Sequence, residues 1–168
     1  MRKTAFAVAI VLVATAVNPI SARALGDEQK GLISTNCSSI KLQLKRIQKD
    51  DARNRVHLGA QYESISTNLM MNLNLRLVKN NRASAEIAEQ QTTFMSERDR
   101  FKNDYIGYSQ ELEKLINIDC KSEPQKFYTQ LQKTRRKRED IDASVKRLNE
   151  IIAKHRQSVE DLKEGLAK

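Results

Sequence analysis

The sequence predicts an all-α fold: a long antiparallel helical hairpin followed by a third helix, in an up-down-up, coiled-coil-like three-helix bundle. Apolar residues recur along most of the chain at alternating spacings of four and three, which keeps one stripe of a helix against a partner helix. Residues 45–164 contain only two glycines and one proline, which favours long helices over strands with frequent turns. The two cysteines, Cys37 and Cys120, lie where such a hairpin would bring them together.

The composition suits a slim bundle better than a thick globular core. The 168 residues leave room for one domain, but they include no Trp, 30% are charged and the mean hydropathy is -0.62. The formal net charge is +9, and it falls to +6 if a leader containing Arg2, Lys3 and Arg23 is removed.

Residues 1–24 are predicted to be a secretory signal peptide. Basic residues open the segment, residues 5–17 are largely apolar, and Ala22 and Ala24 provide small side chains at a cleavage site. A retained anchor is the alternative, although the apolar run is too short to span a bilayer. Residues 25–35 would then be a flexible mature N-terminus.

Residues 36–168 are predicted to hold the bundle, and its first helix covers residues 36–80. This helix is expected to begin at Thr35 or Asn36, whose side chains can accept from the first free backbone N–H groups. Its seam contains two successive steps of four, through Asp51 and Arg55, and this insertion predicts local unwinding of the supercoil there.

Asn80 and Asn81 are predicted to reverse the chain, because Asn tolerates a left-handed backbone and caps the helix that follows. The second helix would cover residues 82–119. A single helix that continued through the asparagines is the alternative, and it would hold Cys37 and Cys120 about 120 Å apart.

The third helix is predicted over residues 123–167, after a second turn. Pro124 suits its first position, where a backbone N–H would have no partner. The seam is the most regular in the chain and runs through Phe127, Leu131, Thr134, Arg138, Ile141, Val145, Leu148, Ile152, His155, Val159, Leu162 and Leu166.

A disulfide between Cys37 and Cys120 is predicted to close the open end of the hairpin. Exported proteins retain disulfides, and this one would restrict a long loop of the unfolded chain. Two free thiols or an intermolecular bridge remain as alternatives. The sequence has no C-x-x-C and no adjacent His, so a redox role has little support.

A polar layer of Asp51, Tyr105 and Arg138 is predicted inside the bundle. Pairing the cysteines sets Asp51 opposite Ile106, one residue from Tyr105, and the second turn sets Arg138 opposite the same position. We therefore expect a partly buried ion pair between Asp51 and Arg138 with the Tyr105 hydroxyl nearby, because an isolated buried charge is too costly. Such a layer fixes helix register.

The densest charge run in the sequence supplies a possible anion-binding patch of Lys133, Arg135, Arg136 and Lys137. These positions circle a helix, and Glu139 and Asp140 follow directly, so a solvated face is the default interpretation. The alternative is an anionic partner such as a phosphate-rich cell-wall polymer, anionic lipid headgroups or nucleic acid, whose binding would weaken steeply with salt. Nucleic acid is disfavoured because no aromatic residue interleaves the run.

Three stretches resemble a group of small, uncharacterised exported helical proteins of reduced-genome bacteria. They are residues 51–59 (DARNRVHLG), residues 74–80 (NLRLVKN), and Cys120 and Lys121 with the nearby Pro124, Phe127 and Tyr128. This resemblance implies a coiled-coil fold and no particular activity. In size, charge and leader the chain is also similar to the periplasmic chaperones of the Skp/OmpH type, but it lacks the strand segments that build their trimeric body.

The expected function is a secreted or cell-surface structural or interaction protein that presents long helical faces to a protein or an anionic envelope polymer, and homo-oligomers remain possible. A holdase chaperone for unfolded clients is the alternative. No enzyme motif occurs, and His57 and His155 lack partners at ligand spacing, so we expect no catalysis, metal or cofactor.

Overall fold

The computed structural model describes residues 25–166, and every element in that range is helical. The all-α prediction is therefore confirmed for the part of the chain described, and the predicted signal peptide, residues 1–24, lies outside it. The elements in chain order are α1 (Asp27–Thr35), α2 (Cys37–Ser64), a π-helical stretch (Ile65–Met71), α3 (Asn72–Lys79), α4 (Ala85–Asn117) and α5 (Pro124–Leu166). We call α2, the π-helical stretch and α3 together the first arm.

The expectation of a flexible segment at residues 25–35 is wrong, because α1 forms there and packs on the base of the molecule. The buried Leu25 donates its backbone N–H to Gln125 Oε1, and Ser34 Oγ donates to the carbonyl of Lys121. Ile33 adds an apolar contact to the core around the cysteines. The two glycines of the segment suggested a flexible chain, but these contacts hold it in place as a helix.

The helix of the first arm departs from α-helical geometry later in the chain than predicted. The sequence placed the unwinding near Asp51 and Arg55, but the structure keeps α-helix there and widens the helix only at Ile65–Met71. Tyr62, Ser66 and Met70 follow one another at spacings of four and are all buried. A π-helix has more than four residues per turn, so it keeps such a series on one face, toward α4.

The chain reverses at Asn80 and Asn81, and Asn81 has a φ of 56°, in the left-handed region that Asn tolerates.

The cap of α4 differs from the prediction, because Ser84 Oγ, and not an asparagine, accepts from the backbone N–H of Ile87. At the start of α2, Asn36 donates its side-chain amide to the carbonyl of Leu32, so it closes α1 instead of capping α2.

Contacts between the arms show how the chain returns on itself. Residues of rising number in the first arm meet residues of falling number in α4: Asp51 with Tyr108, Glu63 with Arg98, and Asn74 with Gln91. Helix α4 then packs against α5 along most of its length, and this is the most extensive helix–helix contact within the described residues. The first arm packs mainly on α4.

Two apolar clusters form the core of this helical bundle. One surrounds the cysteines at the base and includes Leu44, Leu112, Leu115 and Phe127. The other lies nearer the hairpin tip and is built on Tyr62, Met70, Phe94, Phe101 and Leu148, with the ring of Tyr62 edge-on to both phenylalanines.

The predicted disulfide between Cys37 and Cys120 is confirmed, with the two Cα atoms 5.5 Å apart. It joins residues 83 positions apart, linking the start of α2 to the turn after α4. Both cysteines are buried within the basal cluster.

Removing this bond should destabilise the protein substantially. Replacing both cysteines by serine frees a long loop in the unfolded state, so we expect a loss of about 2–5 kcal/mol in the free energy of unfolding. Urea unfolding followed by circular dichroism measures it, with reduced wild-type protein as the matched control. Equal midpoints for oxidised, reduced and serine-substituted protein would show that the bond carries no stability.

Candidate functional site

The predicted polar-layer residues Asp51 and Arg138 lie next to each other. Arg138 Nη2 is 3.3 Å from Asp51 Oδ1. The side chain of Asp51 is only 14% exposed, whereas that of Arg138 is 51% exposed and reaches water. A carboxylate so far from solvent requires hydrogen-bonding partners, and the exposed guanidinium supplies one of them.

The second partner is Tyr108 and not Tyr105. The Tyr108 hydroxyl donates to Asp51 Oδ2 over 2.6 Å, whereas Tyr105 packs its ring edge-on to Tyr108 and lies under the guanidinium of Arg55 at 5.2 Å. The two tyrosines are one helical turn apart on the same seam, so the sequence pattern does not distinguish them.

Burial raises the pKa of Tyr108, and its hydrogen bond to Asp51 raises it further. Burial is also the main reason why the pKa of Tyr105 is raised. Both hydroxyls thus stay protonated well above neutral pH, which keeps Tyr108 a donor to the carboxylate. The layer holds helix register, because its members come from the first arm, α4 and α5.

Part of the basic run that suggested an anion-binding patch is taken up by carboxylates. Lys133 Nζ lies 3.0 Å from Glu111 Oε2, and Lys137 Nζ lies 3.1 Å from Asp140 Oδ2. Arg135 and Arg136 are exposed and make no ion pair within the described residues. The four side chains therefore do not form one free cationic surface.

Glu111 is a buried carboxylate that sequence reasoning missed. Its Oε1 lies 2.8 Å from Lys114 Nζ, and its Oε2 accepts from Gln130 and pairs with Lys133. Its backbone carbonyl accepts from Gln130 and from the buried Thr134. Hydrogen bonds from Lys114 and Gln130 lower the pKa of Glu111 to about 2. The spacing of three to Lys114 was the one available sequence signal.

A groove runs between the first arm and α5, and we call it the α5 groove. It contains two adjoining cavities of about 470 and 440 Å³. The first arm lines it with Leu58, Ile65, Leu69 and Leu73, and α5 lines it with Val145, Ile152 and Val159. Uncharged polar side chains stand along its edges, among them Gln61, Asn68, Asn72 and Asn149.

The α5 wall of the groove repeats at seven residues, whereas the first-arm wall has one heptad step followed by steps of four through Leu69 and Leu73. Leu58 and Ile65 are one heptad apart, and Val145, Ile152 and Val159 form two successive heptads. Leu69 is 62% exposed, and the three α5 residues remain partly exposed. Part of the α5 seam that the sequence predicts to face a partner helix therefore borders open space.

Neither histidine adopts a ligand-like setting. His155 is buried on α5, with Nδ1 3.1 Å from Gln90 Oε1, and burial lowers its pKa. His57 is exposed on α2. Within residues 25–166 no group of three His, Cys, Asp or Glu side chains comes close enough to hold a metal ion. In the same range no helix combines the length and apolar character needed to cross a bilayer.

Comparison with protein-family models, with curated proteins and with solved structures finds no match for this chain. The resemblances noted from the sequence, to exported helical proteins and to the Skp/OmpH chaperones, therefore stay expectations.

Changing Tyr108 to Phe should cost about 1.5–3 kcal/mol in the free energy of unfolding, because a buried carboxylate loses a donor. The matched control is Tyr105→Phe, since the Tyr105 hydroxyl makes no hydrogen bond within the described residues. Chemical denaturation at neutral pH compares the two variants. Equal losses would contradict the assignment of Tyr108 as the partner of Asp51.

The stabilisation from Glu111 should vary with pH. Its pKa in the folded state lies below the ordinary 4.5, so its contribution is full above that pH and is lost as the pH falls toward 2. We expect Glu111→Gln to cost about 1.5–3 kcal/mol at neutral pH and much less near pH 2. Urea titrations across this range measure the difference.

The control for this prediction is Glu113→Gln, which changes an exposed carboxylate two residues away on α4. It should leave stability nearly unchanged at every pH. A loss for Glu111→Gln that stays constant between pH 7 and 2 would show that its ionised carboxylate is not what stabilises the fold.

Proposed function

We propose that this protein is a non-enzymatic interaction protein of the cell envelope, exported through a cleaved signal peptide, that binds an amphipathic helix of a partner protein in the α5 groove. The observation that carries the proposal is the partly exposed heptad series Val145, Ile152 and Val159 on α5, which faces apolar residues of the first arm across the groove. A heptad face beside a second apolar helix face is suited to receive a further helix in coiled-coil fashion.

The arrangement we propose for the chain is an up-down-up bundle of three arms. Contacts such as Asp51 to Tyr108 and Glu63 to Arg98 support an antiparallel relation between the first arm and α4. Hydrogen bonds from Ser144 to Asp104 and from Gln130 to Glu111 support the same relation between α4 and α5. In this arrangement the first arm and α5 run side by side, and a partner helix would complete a four-helix bundle.

A partner protein suits the groove better than a second copy of this chain. The chain carries a formal net charge of +9, or +6 without the predicted leader, so two copies repel each other at long range. The edges of the groove combine neutral amides with Arg76, Arg156 and Glu160, so side chains of both charges are available to pair with a partner helix. Its apolar stripe, matched to Ile65, Leu69, Val145 and Ile152, would supply most of the affinity.

The holdase alternative predicts a different binding pattern. Large apolar residues are exposed far from the groove as well, including Leu42 at 54% and Val56 at 69%. A chaperone would use such surfaces for many unfolded clients, whereas the proposed protein uses one groove for one helical segment. The two functions therefore differ in which surface binds and in how many different proteins are bound.

Site-specific photo-crosslinking in the intact envelope tests the proposal. A photoreactive residue at Asn149 faces the α5 groove, and the matched control at Glu150 is one residue along α5 and about 100° around the helix. We expect crosslinks from position 149, few from position 150, and a crosslinked peptide with apolar residues at spacings of three and four. A synthetic copy of that peptide should become helical on binding.

A pair of substitutions tests whether the groove is the site that binds the peptide. Ile152→Glu introduces a charge into the groove and should weaken binding of the peptide about tenfold or more, while Val56→Glu on the outer face of α2 should not. Crosslinks to many unrelated proteins would favour the holdase, and crosslinks only between copies of this chain would favour self-association. Equal crosslinking from positions 149 and 150 would show that the groove is not the binding site.

A further inference from the structure

The tip of the hairpin, residues 75–82, exposes apolar side chains that the fold does not use. Leu75 is 61% exposed and Val78 is 58% exposed, although Leu77 between them is buried against the bundle. The sequence places leucines and a valine on more than one face here, and only one face packs. Leu75 and Val78 are three residues apart and so share the outer face of α3.

Cations flank these apolar residues along the chain, and the segment itself contains no carboxylate. Arg76, Lys79 and Arg82 are exposed and make no ion pair within the described residues. No Asp or Glu occurs in the sequence between Glu63 and Glu86. Residues 75–82 therefore combine three cations with exposed apolar area, and Glu160 of α5 lies beside Arg76 in the lining of the α5 groove.

We propose that the hairpin tip binds the surface of an anionic lipid bilayer. Leu75 and Val78 would enter the boundary between headgroups and acyl chains, and Lys79 and Arg82 would contact the anionic headgroups. The neutral asparagines at the turn, Asn80 and Asn81, suit the hydrated headgroup layer.

A lipid surface fits this tip better than an acidic protein does. Protein-binding sites concentrate aromatic residues, and none occurs between Tyr62 and Phe94. Leu75, Val78, Lys79 and Arg82 line neither cavity of the α5 groove, and two exposed aliphatic side chains beside two cations can enter a soft interface. The cations alone would favour any polyanion. The exposed leucine and valine favour a bilayer over a soluble polyanion, because only a bilayer offers an apolar region for them to enter.

The inference does not depend on the proposed function. Leu75, Val78, Lys79 and Arg82 do not line the α5 groove. Variants at these four positions should therefore leave the groove crosslinks unchanged, and loss of groove binding would leave the lipid measurement unaffected.

Vesicle co-sedimentation of the intact, disulfide-bonded protein tests the proposal. Phosphatidylcholine vesicles and vesicles with one-third phosphatidylglycerol are compared at low and high salt. We expect stronger binding to the anionic vesicles, by roughly fivefold for each contacting cation, and weaker binding as salt is added. Replacing both Leu75 and Val78 by serine should reduce binding about tenfold or more.

The matched controls change equally exposed residues elsewhere. Leu42→Ser combined with Val56→Ser removes two exposed apolar residues from α2 and should leave vesicle binding unchanged. Lys79→Ser combined with Arg82→Ser should reduce binding to anionic vesicles only, and the same change at Lys45 and Lys49 should reduce it far less.

Two outcomes would overturn the proposal. One is equal binding by wild-type protein and the Leu75/Val78 variant. The other is full displacement of the protein from anionic vesicles by soluble polyphosphate at matched charge, which would show that charge alone is recognised and would favour a polymer over a bilayer.

Discussion

The disulfide between Cys37 and Cys120 is the constraint on which the rest of this structure depends. Helices α4 and α5 share an extensive interface, but the first arm packs mainly on α4 and has little close contact with α5. A covalent bond at the base sets the position of the first arm along α4, and this position brings Asp51 to Tyr108 and Arg138 two heptads further along. A shift by one turn would leave that carboxylate buried without its donors.

This unequal packing also explains where an interaction surface can form. Helix α5 has apolar residues on two sides, one covered by α4 and the other facing the first arm across an open groove. The π-helical stretch Ile65–Met71 keeps Ser66 and Met70 turned toward α4, while Ile65 and Leu69 line the groove. The packing that stabilises the arm thus leaves apolar surface available to a partner.

Much of the fold could be predicted from the sequence, because the signals were periodic and covalent. The alternating spacings predicted long helices, and the cysteine pair predicted the disulfide that is confirmed. The position of the π-helical stretch could not be predicted, since a seam with an extra residue shows that a helix must adjust but not at which turn. Sequence spacing likewise did not separate Tyr105 from Tyr108, or show that Lys133 pairs with Glu111 across two helices. Helix α1 was missed because its anchors, such as Gln125, are a hundred residues away.

Native-state hydrogen exchange tests most directly whether the disulfide holds the first arm on an otherwise self-sufficient α4–α5 pair. We expect the slowest exchange in α4 and α5, and we expect reduction to speed exchange throughout α2, the π-helical stretch and α3 while α4 and α5 stay protected. Loss of protection in all three arms together on reduction, or protection of the first arm equal to that of α5 before and after it, would show that the disulfide does not hold the first arm in place.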